Sequence, residues 1–185
     1  SPEAKSDFEE ELSGHKNITY VEQKKALGTA HALKTALPHV SKNNLLVLLG
    51  DVPLLSELTI SKLQEEIKKN DLVVLTGTVD NPSGYGRICK DPDGKPSAII
   101  EELDCDDEQR KIKEINSGIM AFKTSVAANL VGKIKSNPKK NEYYLTDAIE
   151  IAYHEGIQAS TYSTSEEEVF GVNSKRDLAE AEKIN

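Results

Sequence analysis

Leu45-Leu46-Val47-Leu48-Leu49-Gly50-Asp51 (LLVLLGD, 45–51) runs five apolar residues without a break into a glycine and a carboxylate. A short continuous apolar run that ends at a turn residue reads as a strand covered on both faces in a parallel sheet. Downstream, residues 56–70 have the spacing of an amphipathic helix, and LVVLTGTV (72–79) reads as a second buried strand. Upstream, NITYVEQ (17–23) carries the β-branched and aromatic residues of a short strand. After Gly28, Thr29 stands where it can cap a helix with apolar positions Ala32, Leu33, Ala36 and Leu37, stopped near Pro38.

The middle of the chain changes character. Residues 87–90, 97–102 and 115–122 read as strands, the first two joined by the turn Asp91-Pro92-Asp93-Gly94. Helices follow at 125–135 and 145–155, then a strand at 159–163 and a closing helix at 175–184. Strand–helix alternation at both ends, around a short antiparallel insert, predicts an α/β fold with an open, mostly parallel sheet in a single domain spanning 1–185.

Composition narrows the function classes. The 185 residues, 37% hydrophobic and 29% charged, suit one soluble domain. A net charge of −8 argues against nucleic acid, whose binding depends on clustered Lys and Arg. A small phosphate ligand is not excluded, because a few local cations and backbone N–H groups suffice. No apolar run approaches the roughly 18 residues of a membrane span, so no membrane contact is expected. Ser1-Pro2-Glu3-Ala4-Lys5 has neither the basic flank nor the apolar stretch of a signal peptide. Cys89 and Cys105 form no disulfide scaffold and no zinc spacing, and a cytoplasmic protein is expected.

Several stretches carry possible chemistry. Asp51 follows the most hydrophobic strand, where open α/β sheets place ligands, and its hard oxygens suit Mg²⁺. Alone, Gly50-Asp51 reads more readily as a turn or a helix cap. Gln23 to His31 carries a strand into a helix through Gly28, offering an amide for a planar base edge and N–H groups for oxygen-rich ligands. Alone it is an ordinary strand-to-helix turn, and His31 is a structural residue. In Asn81-Pro82-Ser83-Gly84-Tyr85-Gly86-Arg87, two glycines around Tyr85 let backbone approach a ligand, and Arg87 can pair with an acid or a phosphate. Glu101 and Asn116 lie on neighbouring predicted strands, where a carboxylate and an amide suit sugar hydroxyls and an N-acetyl group. Buried hydrogen-bonded residues would look the same. Gly171-Val172-Asn173 is trivial by itself.

Together these stretches resemble the uridylyltransferase (pyrophosphorylase) domain of the bacterial bifunctional enzymes that make UDP-N-acetylglucosamine. The matching segments are LGTAHAL (27–33), LGDVPLL (49–55), NPSGYGRI (81–88), IIEELDCDDEQRKIKEINSGI (99–119), NEYYLTDAIEIAYHEG (141–156) and GVNSKRDL (171–178). The resemblance implies a Rossmann-like mixed sheet of the nucleotide-diphospho-sugar transferase type, and Mg²⁺ as cofactor. UTP, N-acetylglucosamine-1-phosphate and UDP-N-acetylglucosamine are the implied partners, in cell-wall precursor synthesis. It assigns Gln23, Gly28 and Thr29 to the uracil, and Asp51 and Asn173 to the catalytic metal. It assigns Tyr85, Gly86, Glu101 and Asn116 to the N-acetylglucosamine moiety, with Tyr143 and Thr146 lining the sugar side.

Departures from the family pattern are also visible. Ala26 replaces a second glutamine beside LGT, and Leu103 falls where a basic residue usually follows the pocket glutamate. The family's first strand, its glycine-rich triphosphate loop and its left-handed β-helix acetyltransferase have no counterpart in this sequence. A fragment, a cleaved N-terminus or a reduced relative each account for that. The chain by itself is therefore expected to be a poor catalyst, with its sheet covered by an N-terminal segment or by a second copy. A transferase of the same fold acting on another base or hexose, and a non-catalytic sugar-nucleotide-binding module, are the rival readings.

Overall fold

The computed structural model describes residues 9–138 and 141–184; the start at Ser1 to Lys5 lies outside the described residues. Strand β5 (Glu114–Lys123) organises the sheet. One of its edges carries β2 (Leu72–Thr78) from end to end, Leu72 opposite Phe122 and Thr78 opposite Glu114. The other edge holds two strands in series. β1 (Asn44–Val47) lies opposite Met120 to Lys123, and β3 (Arg87–Lys90) meets β5 through Arg87 opposite Ile115. β4 (Pro96–Ile100) pairs with β3 on the outside, and β6 (Ala159–Thr164) with β2.

The mixed α/β sheet agrees with the sequence reading, but among the described strands parallel contact is confined to β2 with β6. The cause is β5, which runs against β1, β2 and β3 alike. Strands β1, β2, β3 and β6 share one direction, so the strands are mostly co-directional while their contacts are mostly antiparallel.

Two apolar layers sandwich this sheet, because successive strand residues point to opposite faces. Leu72, Val74, Met120 and Phe122 pack under α1 (Thr29–Ala36), α3 (Thr124–Lys133) and α4 (Asp147–His154). Val73, Leu75, Ile119 and Ala121 pack on the opposite face against Leu63 and Ile67 of the α2 region (helix Glu57–Glu66). The Ser56 hydroxyl accepts the Thr59 N–H to cap α2 (3.1 Å), and the helix ends at Glu66 rather than running to Asn70. There the amide of Asn70 turns back, its N and Nδ2 both donating to the Glu66 carbonyl at 3.1 and 3.0 Å. α5 (Lys175–Ile184) closes the described chain. No helix among the described residues is long and apolar enough to cross a membrane.

Three local expectations are corrected. β1 is not fully buried on either face: among the described strands it pairs with β5 alone, Leu45, Leu46 and Val47 pack only partly buried against the two apolar layers, and Leu48 just beyond it is 50% exposed. Residues 17–23 form no strand, because no strand among the described residues pairs with them and Ile18 and Tyr20 stay exposed. Thr29 does not cap α1. Gly28 is the N-cap residue, the Thr29 hydroxyl instead receives the Leu145 N–H at 3.0 Å, and the buried positions are Ala30 and Leu33, with Ala32 exposed.

Candidate active site

Between the pairing of Arg87 with Ile115 and that of Val47 with Met120, one edge of β5 is left without a partner strand among the described residues. The sequence Asn116-Ser117-Gly118 is built for that interruption. A backbone group left without a ladder partner needs another. Asn116 N donates to the Gly86 carbonyl at 2.9 Å, and Asn116 Oδ1 accepts the Gly118 N–H at 3.0 Å. Ser117 Oγ donates to the Leu75 carbonyl at 2.7 Å, where β2 carries an irregularity, and accepts the Ile119 N–H at 3.1 Å. Gly118 has φ +80°, and a Cβ there would lie 2.2 Å from Leu49 Cδ1. The end of the LLVLL run thus rests directly on the gap.

A cleft opens over this gap in two lobes of about 470 and 490 Å³, which share Leu49, Gly84, Glu101, Asn116 and Gly118. The second lobe gathers Asp51, Tyr85, Gly86, Asn173 and Asp177. Val172 N donates to the Asp51 carbonyl at 2.7 Å, stitching the turn after β1 to the segment before α5. Gly171 N donates to the Tyr85 hydroxyl at 3.4 Å, and Asn173 N to Asp177 Oδ2 at 3.0 Å. Hydrogen bonds from Ser174 and from the Asn173 N–H hold the Asp177 carboxyl below the usual carboxylate range. No group of three or more His, Cys, Asp and Glu side chains suited to a metal occurs among the described residues. The donors on offer, the Asp51 carboxylate and the Asn173 amide oxygen, are hard. Mg²⁺ fits such a set, since it keeps several waters and takes one or two carboxylates together with substrate phosphates.

The first lobe sets polar groups against an apolar wall. Glu101, Asn116 and Thr146 line it with Leu49, Leu103, Met120 and Leu145. The Thr146 hydroxyl donates to Glu101 Oε1 at 3.1 Å. With Oδ1 taken by Gly118, Asn116 keeps Nδ2 free of protein partners among the described residues. Gly86 is glycine for space: a Cβ would stand 3.0 Å from Ile99 and 3.5 Å from Glu101 Oε2. Arg87, 2% exposed, reaches neither lobe and pairs with an acid, Glu102 Oε2, at 2.6 Å. The cleft is strongly acidic. Asp51, Glu101, Glu102, Asp104 and Asp177 line it, and no Lys or Arg among the described residues does.

Three residues expected at the site stand apart from it. Gln23 Nε2 is occupied by the Gly28 carbonyl (3.1 Å) and by His31 Nδ1 (2.8 Å), so its amide braces the turn into α1. Gly28, at φ +95°, lets the Tyr143 backbone press close; a Cβ would sit 2.5 Å from the Tyr143 carbonyl. That carbonyl also takes the Ala30 N–H at 3.0 Å, which removes one helix N-terminal donor from any ligand. The Tyr143 side chain lies in a separate groove with Leu27, His31 and Lys34, and Tyr144 lines the cleft in its place. Successive residues of an extended segment face opposite ways, so Tyr143-Tyr144 can present only one ring to the cleft. Thr29 lines the first lobe. Tyr144 and Glu102 are cleft residues that sequence reasoning did not assign, their adjacency to Tyr143 and Glu101 being the available signal, and Leu103, noted in the sequence as a departure from a basic position, lines the cleft as well. Burial pushes both thiols, Cys89 and Cys105, upward, away from thiolate chemistry.

A family profile described as "Nucleotidyl transferase" matches residues 1–169. The chain is 41% identical over 181 residues to the "Bifunctional protein GlmU" of Francisella tularensis subsp. novicida (strain U112), a match covering 97% of this chain and 40% of that protein. The figures are the same for the protein of that name from Francisella tularensis subsp. tularensis (strain SCHU S4 / Schu 4). The chain therefore spans 40% of the length of these curated relatives. Among solved structures, a UDP-glucose pyrophosphorylase complexed with UDP-glucose aligns with a TM-score of 0.68 at 19% identity, over 97% of this chain and 72% of that one. That likeness is one of fold.

Proposed function

The chain belongs to the nucleotidyl transferase family, and on that premise we propose that it serves the reaction of UTP with N-acetylglucosamine-1-phosphate, giving UDP-N-acetylglucosamine and pyrophosphate for cell-wall precursor synthesis in the cytoplasm. One observation carries this reading. A lobe with hard oxygen donors, Asp51 and Asn173, adjoins a lobe with Glu101, Asn116 and Thr146, and both open at the same gap in β5. The 41% identity to proteins named GlmU supports the same substrates.

In the proposed reaction an oxygen of the sugar phosphate attacks the α-phosphorus of UTP. The bond from that phosphorus to its bridging oxygen breaks, and pyrophosphate departs with the electron pair. The nucleophile is already anionic, so no side chain has to remove a proton, and the protein's task is positioning and charge compensation. Mg²⁺, held by Asp51 and Asn173, would neutralise phosphoryl charge. Asn116 would donate through Nδ2 to an acceptor of the sugar, Glu101 would accept from a hydroxyl, and Leu49, Leu103 and Met120 would wall the acetyl methyl. Losing the Asn116 amide then weakens sugar-phosphate binding by about 1–3 kcal/mol and UTP binding by less.

A second reading, a sugar-nucleotide-binding module without turnover, is favoured by the lack of Lys and Arg among the described cleft residues. Calorimetric titration with UDP-N-acetylglucosamine and Mg²⁺, beside an assay of pyrophosphate release, separates the two. Binding with turnover supports the transferase, binding alone supports the module, and no binding removes both.

A further inference from the structure

The Arg87–Glu102 pair is a cleft-side feature that the proposed chemistry leaves unused. Arg87 opens β3 and is 2% exposed, yet it lines neither lobe. Its Nη2 donates to Glu102 Oε2 at 2.6 Å, and its Nη1 donates to the Tyr85 carbonyl. Its Nε is buried with no hydrogen-bond partner among the described residues. A buried cation with an unsatisfied N–H is a poor device for stability, since an apolar side chain of that volume would serve as well or better. What the pair does have is connectivity. The same Glu102 Oε2 accepts the Gly84 N–H at 3.2 Å, and Gly84 lines both lobes. The turn that carries Gly84 is closed by Tyr85 N on the Pro82 carbonyl at 3.2 Å, and the Tyr85 hydroxyl accepts the Gly171 N–H at 3.4 Å. A continuous run of bonds therefore leads from Glu102, in the wall of the first lobe, through Arg87 and the 82–85 turn, to the segment carrying Asn173 in the second.

We propose that Arg87 and Glu102 form a strut that fixes the spacing between the sugar lobe and the phosphate–metal lobe, with Arg87 a positioning residue that does not itself touch ligand. The proposal rests on the reading of the two lobes given above. A planar guanidinium suits the task because it holds a carboxylate and a carbonyl at once in fixed relative geometry, which a lysine ammonium does not. Weakening the strut should loosen both lobes relative to each other while leaving each lobe's own contacts in place.

Two measurements on Glu102→Gln test this. Amide hydrogen exchange, followed by NMR on the ligand-free protein, should show protection falling about tenfold at both Gly84 and Gly171, with Val74 in β2 unchanged. Loss at Gly84 alone, or at neither, overturns the strut. Calorimetry with Mg²⁺ should then show UDP-N-acetylglucosamine, which spans both lobes, weakened about tenfold, and N-acetylglucosamine-1-phosphate, confined largely to one, nearly unchanged. Equal weakening of both overturns the positioning role. Arg87→Lys, which retains the charge, should reproduce the same split, and full recovery of normal binding in that variant would contradict the geometric argument. If the unaltered protein binds neither ligand, the functional reading fails, whereas the exchange measurement still decides the strut.

Discussion

Strands β1 and β2 are built from nearly the same residues and live in different environments. Leu72, Val73, Val74 and Leu75 of β2 are each 0% exposed, flanked by β5 and β6. β1, from the equally apolar LLVLL, pairs with β5 alone among the described strands, and its apolar side chains stay only partly buried. The difference teaches that an apolar run specifies a strand without specifying its neighbours. It also divides labour: β2 supplies cohesion to both apolar layers, and β1 delivers Leu49 and Asp51 to the cleft.

The contrast is broken most directly by truncating one residue in each strand. Leu75→Ala should cost about 3–4 kcal/mol, the removed atoms plus the cavity left in a layer that cannot collapse. Leu46→Ala should cost about 1 kcal/mol, because its side chain is only partly covered. Urea denaturation with a common m-value measures both, and equal losses would mean that β1 is as well enclosed as β2.

The division of labour predicts the reverse for Asp51. Asp51→Asn should leave the urea midpoint unchanged, since the bond from Val172 N goes to the Asp51 backbone. It should nevertheless weaken Mg²⁺-dependent binding of UDP-N-acetylglucosamine about a hundredfold. A Mg²⁺ response equal to that of the unaltered protein would remove Asp51 from the metal assignment.

Gly118 lies where the two regions meet. Gly118→Ala must place an L-residue at φ +80° and push aside Leu49, costing about 1–2 kcal/mol and narrowing both lobes. Ligand affinity should fall along with stability. A loss of stability at full affinity would show that Leu49 yields away from the cleft.

The smallest effect belongs to Asp71, just ahead of β2. The hydrogen bond from Lys123 Nζ, 2.7 Å away, holds its carboxyl below the ordinary carboxylate range, helped by the Gln158 N–H. A lowered folded-state value means that the contribution is complete above the ordinary value of about 3.9 and is lost as pH falls through the lowered one. Solvent reaches both partners, so it amounts to less than about 1 kcal/mol. Stability curves of Asp71→Asn and the unaltered protein should differ near neutrality and converge below pH 4; a constant offset at all pH would assign the effect to packing.

Much of this arrangement was legible in the residues. The β2 and β5 segments, the helix after Ser56 and the Asp91–Gly94 turn all follow from local pattern, which is where short-range physics decides. Asp51, Glu101 and Asn116 were singled out by residue type and position and Asn173 by the family resemblance alone, and the fold brings all four to one cleft. What escaped depends on distant partners. That β1 would lie at an edge and that 17–23 would find no ladder are facts about neighbours rather than about the segments themselves, whereas Gln23 is taken by Gly28 and His31 within its own stretch, a side-chain choice that residue pattern does not specify. The exchange of Tyr143 for Tyr144 is a matter of one residue in register, below the resolution of a motif match.

The interruption in β5 also sets where this chain tolerates changes in length. The turn at 91–95 and the charged stretch 104–113 lie outside the ladders and can absorb an added residue at modest cost. Between Ile115 and Met120 a single deletion would slide β1 and β3 out of phase along a common rail, reversing which face of the sheet Leu45 and Leu46 meet. Asp51 and Glu101 approach the cleft from opposite ends of that rail, so the distance between them is counted out in β5 residues. Surface loops of this protein are thus free to drift in length over time, while those few central positions behave as a fixed-length spacer.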